Sequence, residues 1–391
     1  MKPSRRLSVL EPLVTLTVDG ADVPARAGEP IAIALWAAKR LVLGRSVKYH
    51  RARGAACFSG RCDGCLMRVD GAPSVRTCRT KATHGTVVET QNVLGSASLD
   101  LLSATDFVFS GGHNHHEMFT WSKPVNRVMQ EVARHVAGVG TLPDEVLAPT
   151  AVEHVACDVC VIGGGVSGSE CATVMRAAGA NVVVLDEEEG ASAVGIFDET
   201  DGRRLVLATS EAGARVVVPK LIVIAQGRAE SMEAFEGNDL PGVISLDAAE
   251  RLFAAGVLPG ERAAIVGTSA RADALVLRFE GAGAKTTRIA LADLARARGR
   301  SSVRLLDTIR GEKIPCDVLV VEGRSSACYE LAVQAGVEVV FDGAVFDLVA
   351  SKEDGTTRHP RVLVAGSAAG VNDAAAHGTR VGQKALEVLR G

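Results

Sequence analysis

Four cysteines supply the first chemistry that the sequence offers. From Cys57 the chain reads CFSGRCDGCLMRVDGAPSVRTC, so Cys57, Cys62, Cys65 and Cys78 follow a C-x4-C-x2-C-x12-C pattern. Three thiolates on one tight loop, with a fourth arriving later, is the plant-type spacing of [2Fe–2S] ligands. Gly60 and Gly64 lie inside the loop. Glycine lets backbone N–H groups turn toward sulfur at angles that a side chain resists. Two plainer readings compete with this one, four unrelated thiols or a zinc site. Zinc usually takes two CxxC or CxxH pairs, and only one short pair is present here.

The surrounding elements must bring the fourth cysteine back to the loop. LMRVDGAPSVRT, between Cys65 and Cys78, reads as a strand, a Gly-containing turn and a second strand. Upstream, residues 13–19 alternate as a strand does, and Gly20-Ala21 forms a turn. A helical stretch is expected near 30–42, and THGTVVETQN supplies a closing strand. Together these predict a β-grasp, ferredoxin-like [2Fe–2S] domain over residues 1–100. The basic run at 45–54 (RSVKYHRARG) leads into the cysteine loop. It would neutralise an anionic cluster or face an acidic partner, and a solvated basic surface explains it equally well.

A second site begins at Cys157, where the chain reads CDVCVIGGGVSGSECATVMRAAGANVVVLDE. The apolar run DVCVIG predicts a buried parallel strand. Gly163, Gly165 and Gly168 form G-x-G-x-x-G, with Ser167 inside it, and a helix follows to Gly179. The first glycine serves the tight turn, the second admits a pyrophosphate, and the third lets helix and strand pack. The helix N-terminus adds the positive end of its dipole. Asp186 and Glu187 stand at the end of the next strand, where a carboxylate can bind a ribose hydroxyl. FAD, NAD, ADP or ATP all fit such a loop.

The remaining candidates are weaker. Cys157 and Cys160 form a CxxC within a buried strand, and they read as core residues with Cys171, Cys316 and Cys328. His113, His115 and His116 read as a loop or interface cluster, since no paired spacing completes a metal site. Residues 262–289 repeat the strand–turn–helix pattern. Their turn keeps only Gly267, with Ser269 and Ala272 where further glycines are expected, so a second nucleotide unit at about 256–325 is degenerate. No general base or nucleophile constellation is visible, and no catalytic residue is assigned.

Composition bounds the rest. The 391 residues suffice for two or three domains, and the 47% hydrophobic content supports a sizeable core. Aromatic residues at 4% and a net charge of −3 argue against a nucleic-acid partner. No apolar run is long enough to span a membrane, and the N-terminus shows no secretory h-region. The nine cysteines form no compact disulfide scaffold, which points to a reducing, cytoplasmic compartment.

The pieces in this order resemble the α subunit of heteromeric amine and amino-acid oxidoreductases. That family includes heterotetrameric sarcosine oxidase, opine oxidase, hydrogen cyanide synthase, and D-hydroxyproline and dye-linked L-proline dehydrogenases. GRSVKYHRARG (44–54) is similar to the family's GRSFKYHRPRG stretch. RAESMEAFEGNDLPGVISLDAAERL (228–252) is similar to HERPLxFxGNDxPGVxxxxAAxxY, and the GND-PGV part is fairly specific. VAGSAAGVNDAAAHG (364–378) is similar to VAGDAAGxxGxxxAxxxG. The family's ATG motif reads Ala225-Gln226-Gly227 here. Its GD motif reads Gly366-Ser367, without the carboxylate that faces a flavin.

The resemblance implies a fold and a role. After the first domain comes a linker with a helix (101–154). A Rossmann-like domain of the pyridine nucleotide-disulfide reductase type then covers 155–391. Gly227, Gly366 and Ser367 join the glycine loop in holding FAD or another adenine nucleotide. The chain would be an electron-transfer subunit. Its partner would be an FAD-containing β subunit resembling glycine and sarcosine oxidases, with small additional subunits possible. A stand-alone NAD(P)H-dependent ferredoxin-type reductase and a nucleotide-binding scaffold are the alternatives. The degenerate second unit weighs against the first, and the four cysteines weigh against the second.

Overall fold

The computed structural model describes residues 5–9, 11–46, 50–93, 121–136, 151–187, 190–200, 202–210 and 212–391. They group into two units, Met1–Val146 with Met232–Gly323, and Leu147–Ser231 with Arg324–Gly391. The three histidines at 113–116 lie outside the described residues. So does most of 101–154, apart from one helix at Lys123–Val136 and the start of a strand at Val152.

The first unit opens with strands β1 (Leu13–Val18) and β2 (Ala21–Arg26), helix α1 (Ile31–Ala37), and strands β3 (Leu66–Val69), β4 (Ala72–Arg76) and β5 (Val87–Glu89). The sheet order is β2-β1-β5-β3-β4. β1 pairs parallel to β5, and the other neighbours are antiparallel. This is the expected β-grasp arrangement, with α1 as the grasped helix. α1 is IAIALWA, and all seven residues are buried. A helix apolar on every side must be enclosed. It ends earlier than the 30–42 expected. Lys39 takes a left-handed φ of 59°, Lys39 N–H donates to Trp36 O, and Arg40 N–H donates to Leu35 O. That double closure is a Schellman stop, made here with lysine in place of the usual glycine.

The second unit carries β6 (Val152–Ile162), α2 (Val166–Ala177), β7 (Val182–Leu185), β8 (Ala191–Asp198), β9 (Arg204–Ser210) and β10 (Gly213–Ile224). β6, β7 and the end of β10 run parallel, while β8, β9 and the start of β10 form an antiparallel meander. The runs at the centre (CVI in β6, IVI in β10) are wholly buried, as parallel strands covered on both faces require.

The chain then returns to the first unit with β11 (Val243–Ser245), α3 (Leu246–Ala254), β12 (Arg262–Val266), α4 (Ala270–Gly281), β13 (Lys285–Ile289) and β14 (Val318–Val321). Their parallel sheet has the order β11-β14-β12-β13. Its core is continuous with that of the β-grasp domain. Leu16, Leu35, Trp36 and Phe58 belong to the same buried cluster as Leu252, Phe279 and Val318. The chain ends in the second unit with β15 (Val362–Val364), parallel to β10, and helix α5 (Ala374–Arg390).

Candidate functional site

The β3–β4 hairpin carries Cys78 back toward the loop that holds the other three cysteines. Thr77 ties the return in place, because its N–H and Oγ1 both donate to Cys65 O, the latter at 2.7 Å. The four thiols stand in two pairs. Cys57 Sγ lies 3.3 Å from Cys62 Sγ, and Cys65 is hydrogen-bonded to Cys78. Cys57, Cys65 and Cys78 are buried, while Cys62 is partly open. Among the described residues no three His, Cys, Asp or Glu side chains gather around one ion position.

Backbone N–H groups of the loop aim at these sulfurs. Ser59 and Cys62 N–H groups donate to Cys57 Sγ at 3.4 and 3.3 Å. Ala56 and Gly64 reach Cys62, and Gly60 reaches Cys78. Gly60 makes this possible with a φ of +77°. The titration follows the pairing. The hydrogen bond from Cys62 pulls the Cys57 thiol down to about 4 and pushes Cys62 up. The bond from Cys78 likewise lowers Cys65 to about 7 and raises Cys78. Each pair therefore holds one thiolate-prone sulfur, Cys57 and Cys65, and backbone N–H donors reach sulfurs of both pairs. That donor set fits four thiolates on an iron–sulfur core, whose net negative charge the N–H groups stabilise and whose binding displaces the remaining protons.

Cys157, Cys160, Cys171 and Cys316 lie in the core, where burial dominates. Burial alone raises Cys171, and burial is the leading cause for Cys157, Cys160 and Cys316. They are core thiols.

In the second unit the glycine loop joins β6 to α2. The three glycines of the motif differ in what they leave room for. A Cβ on Gly163 would sit 2.5 Å from Ala225 O, and one on Gly168 would fall on the Gly163 carbonyl. Strand and helix packing therefore requires both. A Cβ on Gly165 would meet nothing within 4 Å. The fold leaves that space open, on the side where a phosphate would approach an exposed backbone. Asp186 closes on the loop, with Gly164 N–H donating to its Oδ2 at 2.6 Å. Glu187 follows it in the turn.

The other residues expected here are brought to the same end of the sheet. A Cβ on Gly227 would be 3.3 Å from Ser367 Oγ, and one on Gly366 would fall on the Ser167 side chain. Ser167, Gly227, Gly366 and Ser367 thus surround the base of the glycine loop. Sequence reasoning passed over His377. It is fully buried, and its Nδ1 accepts Gly366 N–H at 2.9 Å. Burial, then the charge of Arg380, pushes its pKa below the usual histidine value. The histidine lies near the start of α5, a few residues past the small-residue turn, and that proximity is the signal the sequence offers.

The second strand–turn–helix unit is closed by its own side chains. Glu322, at the end of β14, accepts the N–H groups of Thr268 and Ser269 at 3.0 and 3.3 Å. Ser269 caps α4 through Ala272 N–H, and Arg288 Nε donates to Gly267 O at 2.7 Å. A carboxylate therefore stands where a dinucleotide phosphate would meet the helix N-terminus. Glu322 was also missed from sequence, where it reads only as a charge ending an apolar strand.

Comparison with known proteins agrees with this geometry. The family described as "2Fe-2S iron-sulfur cluster binding domain" matches residues 11–93. The sarcosine oxidase subunit alpha of Rhizobium meliloti (strain 1021) is 27% identical over 366 aligned residues, covering 78% of this chain and 37% of that protein. Subunit HcnA of the Pseudomonas aeruginosa hydrogen cyanide synthase is 37% identical over 79 residues, which are 20% of this chain and 75% of HcnA. The chain belongs to the α-subunit family of heteromeric amino-acid oxidoreductases. The chain spans 37% of the length of the sarcosine oxidase subunit. Its fold is that of the L-proline dehydrogenase from P. horikoshii, with a TM-score of 0.73, 21% identity, and coverage of 99% of this chain and 76% of the other. The α-type chain is thus a β-grasp cluster-binding domain followed by a nucleotide-binding fold of the pyridine nucleotide-disulfide reductase type. No described helix is long and apolar enough to cross a membrane.

Proposed function

We propose that this chain is the electron-transfer α subunit of a multi-subunit amine or amino-acid dehydrogenase or oxidase. The observation that carries the reading is the pair of thiol pairs, Cys57 with Cys62 and Cys65 with Cys78, ringed by backbone N–H donors. These four side chains would hold a [2Fe–2S] cluster, which when bound supplies a one-electron carrier. The residues' own part is to bind and to insulate. Three of the thiols are buried, and Cys62, the partly open one, marks where the site comes nearest to solvent and to a partner.

The glycine loop would hold one adenine nucleotide, FAD foremost, on Gly163, Gly165, Ser167 and Gly168. Asp186 and Glu187 would stand on the ribose side, and Gly227, Gly366 and Ser367 at its far end. The open space at Gly165 supports this assignment. Substrate oxidation would occur on a partner FAD-containing β subunit, as the family resemblance implies; among the described residues no base or nucleophile constellation competes with that reading. Nine free cysteines suit a reducing, cytoplasmic setting. The NAD(P)H-reductase alternative needs a second nucleotide site, and Glu322 occupies the position that site requires.

Co-expression with a β-type flavoprotein tests the proposal. The two should co-purify, and amino-acid-dependent dye reduction should require the flavoprotein. NADH-driven dye reduction by this chain alone would favour the reductase instead.

A further inference from the structure

We propose that the GNDLPGV motif, Gly237–Val243, is a clamp that positions the cysteine loop. The inference rests on the cluster reading above. The two stretches that carried the family resemblance within this unit, residues 44–54 and 237–243, are far apart in sequence and meet at one place. Arg53 Nη1 and Asp239 Oδ2 are 2.6 Å apart. Next to Arg53, Gly54 is pressed between two walls, because a Cβ there would sit 2.5 Å from Leu41 O and 2.9 Å from Pro241 Cβ. Gly54 in turn supports the loop, since a Cβ on Gly64 would fall on the Gly54 carbonyl. Gly64 stands between Cys62 and Cys65, and its N–H reaches the Cys62 sulfur. Beyond the motif, Ser245 N–H donates to Ala56 O at 3.0 Å, next to Cys57. Ser245 is itself fixed as the cap of α3 through Ala248 N–H.

A further anchor acts from the other side of the loop. Phe58, within the loop, packs edge-on against Trp36 at 5.5 Å, and Trp36 Nε1 donates to Pro259 O at 2.9 Å. The second nucleotide unit, closed to phosphate by Glu322, thus has a different task. It is the rigid bed against which the thiol pairs keep their spacing. Asp239, Pro241 and Ser245 are positioning residues, acting on the sulfurs through Arg53, Gly54 and Ala56.

The test uses the full chain, anaerobically reconstituted with iron and sulfide, as wild type, Gly64→Ala, Arg53→Asp, Asp239→Arg and the double charge reversal. Iron and sulfide content, the EPR line shape after dithionite reduction, and amide hydrogen exchange of the metal-free chain are read. The clamp predicts that Gly64→Ala loses most of its iron. It predicts that each single reversal speeds exchange over 54–65 and cluster loss by up to about fivefold, the scale of one exposed ion pair. The double reversal should recover both. Unchanged loss rates, line shapes and exchange in all variants would overturn the clamp, as would single-reversal effects spread evenly over the chain and not recovered by the double reversal. A wild-type chain that takes up no iron and sulfide would instead overturn the cluster reading beneath it.

Discussion

Glu322 Oε2 accepts the Thr268 N–H at 3.0 Å in the turn where a second dinucleotide would place its phosphates. The chain has filled that anion position with its own carboxylate. Saturating NADH or NADPH should therefore not change the hydrogen exchange of residues 262–289. Glu322→Ala removes an acceptor from two solvent-accessible N–H groups and should cost about 0.5–1.5 kcal/mol in stability. It should also let pyrophosphate raise the melting temperature, while Glu322→Gln keeps one acceptor and falls between. Protection of 262–289 by NADH in the wild-type chain would contradict this.

The glycine loop separates packing from binding. Gly165→Val adds carbon only where the fold leaves space, so it should cost under about 1 kcal/mol in stability, the scale of a changed helix cap. It should nevertheless abolish nucleotide binding. Gly168→Ala drives a methyl onto the Gly163 carbonyl and should destabilise by about 1–3 kcal/mol as an overpacked site. Thermal shift with FAD, ATP, ADP and NAD reads both, because a ligand at 100 times its Kd stabilises by about 2.7 kcal/mol. Equal melting shifts in wild type and Gly165→Val would remove the nucleotide from this loop.

His377 gives a pH dependence of known sign. Burial lowers its pKa in the folded chain, so the unfolded chain binds the proton more readily. Its contribution is present above the ordinary histidine pKa of about 6.5 and is lost as pH falls from there toward the folded value. The second unit should therefore melt lower at pH 5.5 than at pH 7.5. His377→Gln should flatten that difference while costing stability at pH 7.5, where the Gly366 N–H loses its acceptor. A slope unchanged in the variant would assign the effect to other groups.

Much of this was legible because it is local. The C-x4-C-x2-C spacing and the strand–glycine–helix run fix their own geometry within a few residues, and the structure shows the three cysteines on one loop and the strand, turn and helix at 152–177. What stayed hidden depends on contacts between distant segments. Nothing near Ser245 announces that its N–H meets Ala56 O, or that Trp36 reaches Pro259. The expected helix to residue 42 failed at Lys39, because a lysine took the left-handed stop that composition assigns to glycine. Asp186, read as a ribose ligand, accepts the Gly164 N–H in the structure, a contact that sequence alone did not suggest.

The cysteines divide sharply in their expected behaviour. Cys62→Ser breaks a thiol pair and should lower iron and sulfide from about two each per chain, with loss of the reduced-state EPR signal. Cys160→Ser lies in a strand core and should leave both intact, at a stability cost only. Equal loss from both variants would mean that the spacing does not define the site.

The most direct test of the account is EPR on the anaerobic complex of this chain with the β-type flavoprotein proposed as its partner, frozen after adding an amino-acid substrate of that flavoprotein. The account predicts that substrate alone brings up the reduced [2Fe–2S] signal, and that Cys62→Ser abolishes it while the partner's flavin is still bleached. A flavin fully reduced by substrate beside a cluster that stays oxidised, or full-rate amino-acid oxidation by this chain without the partner, would contradict it.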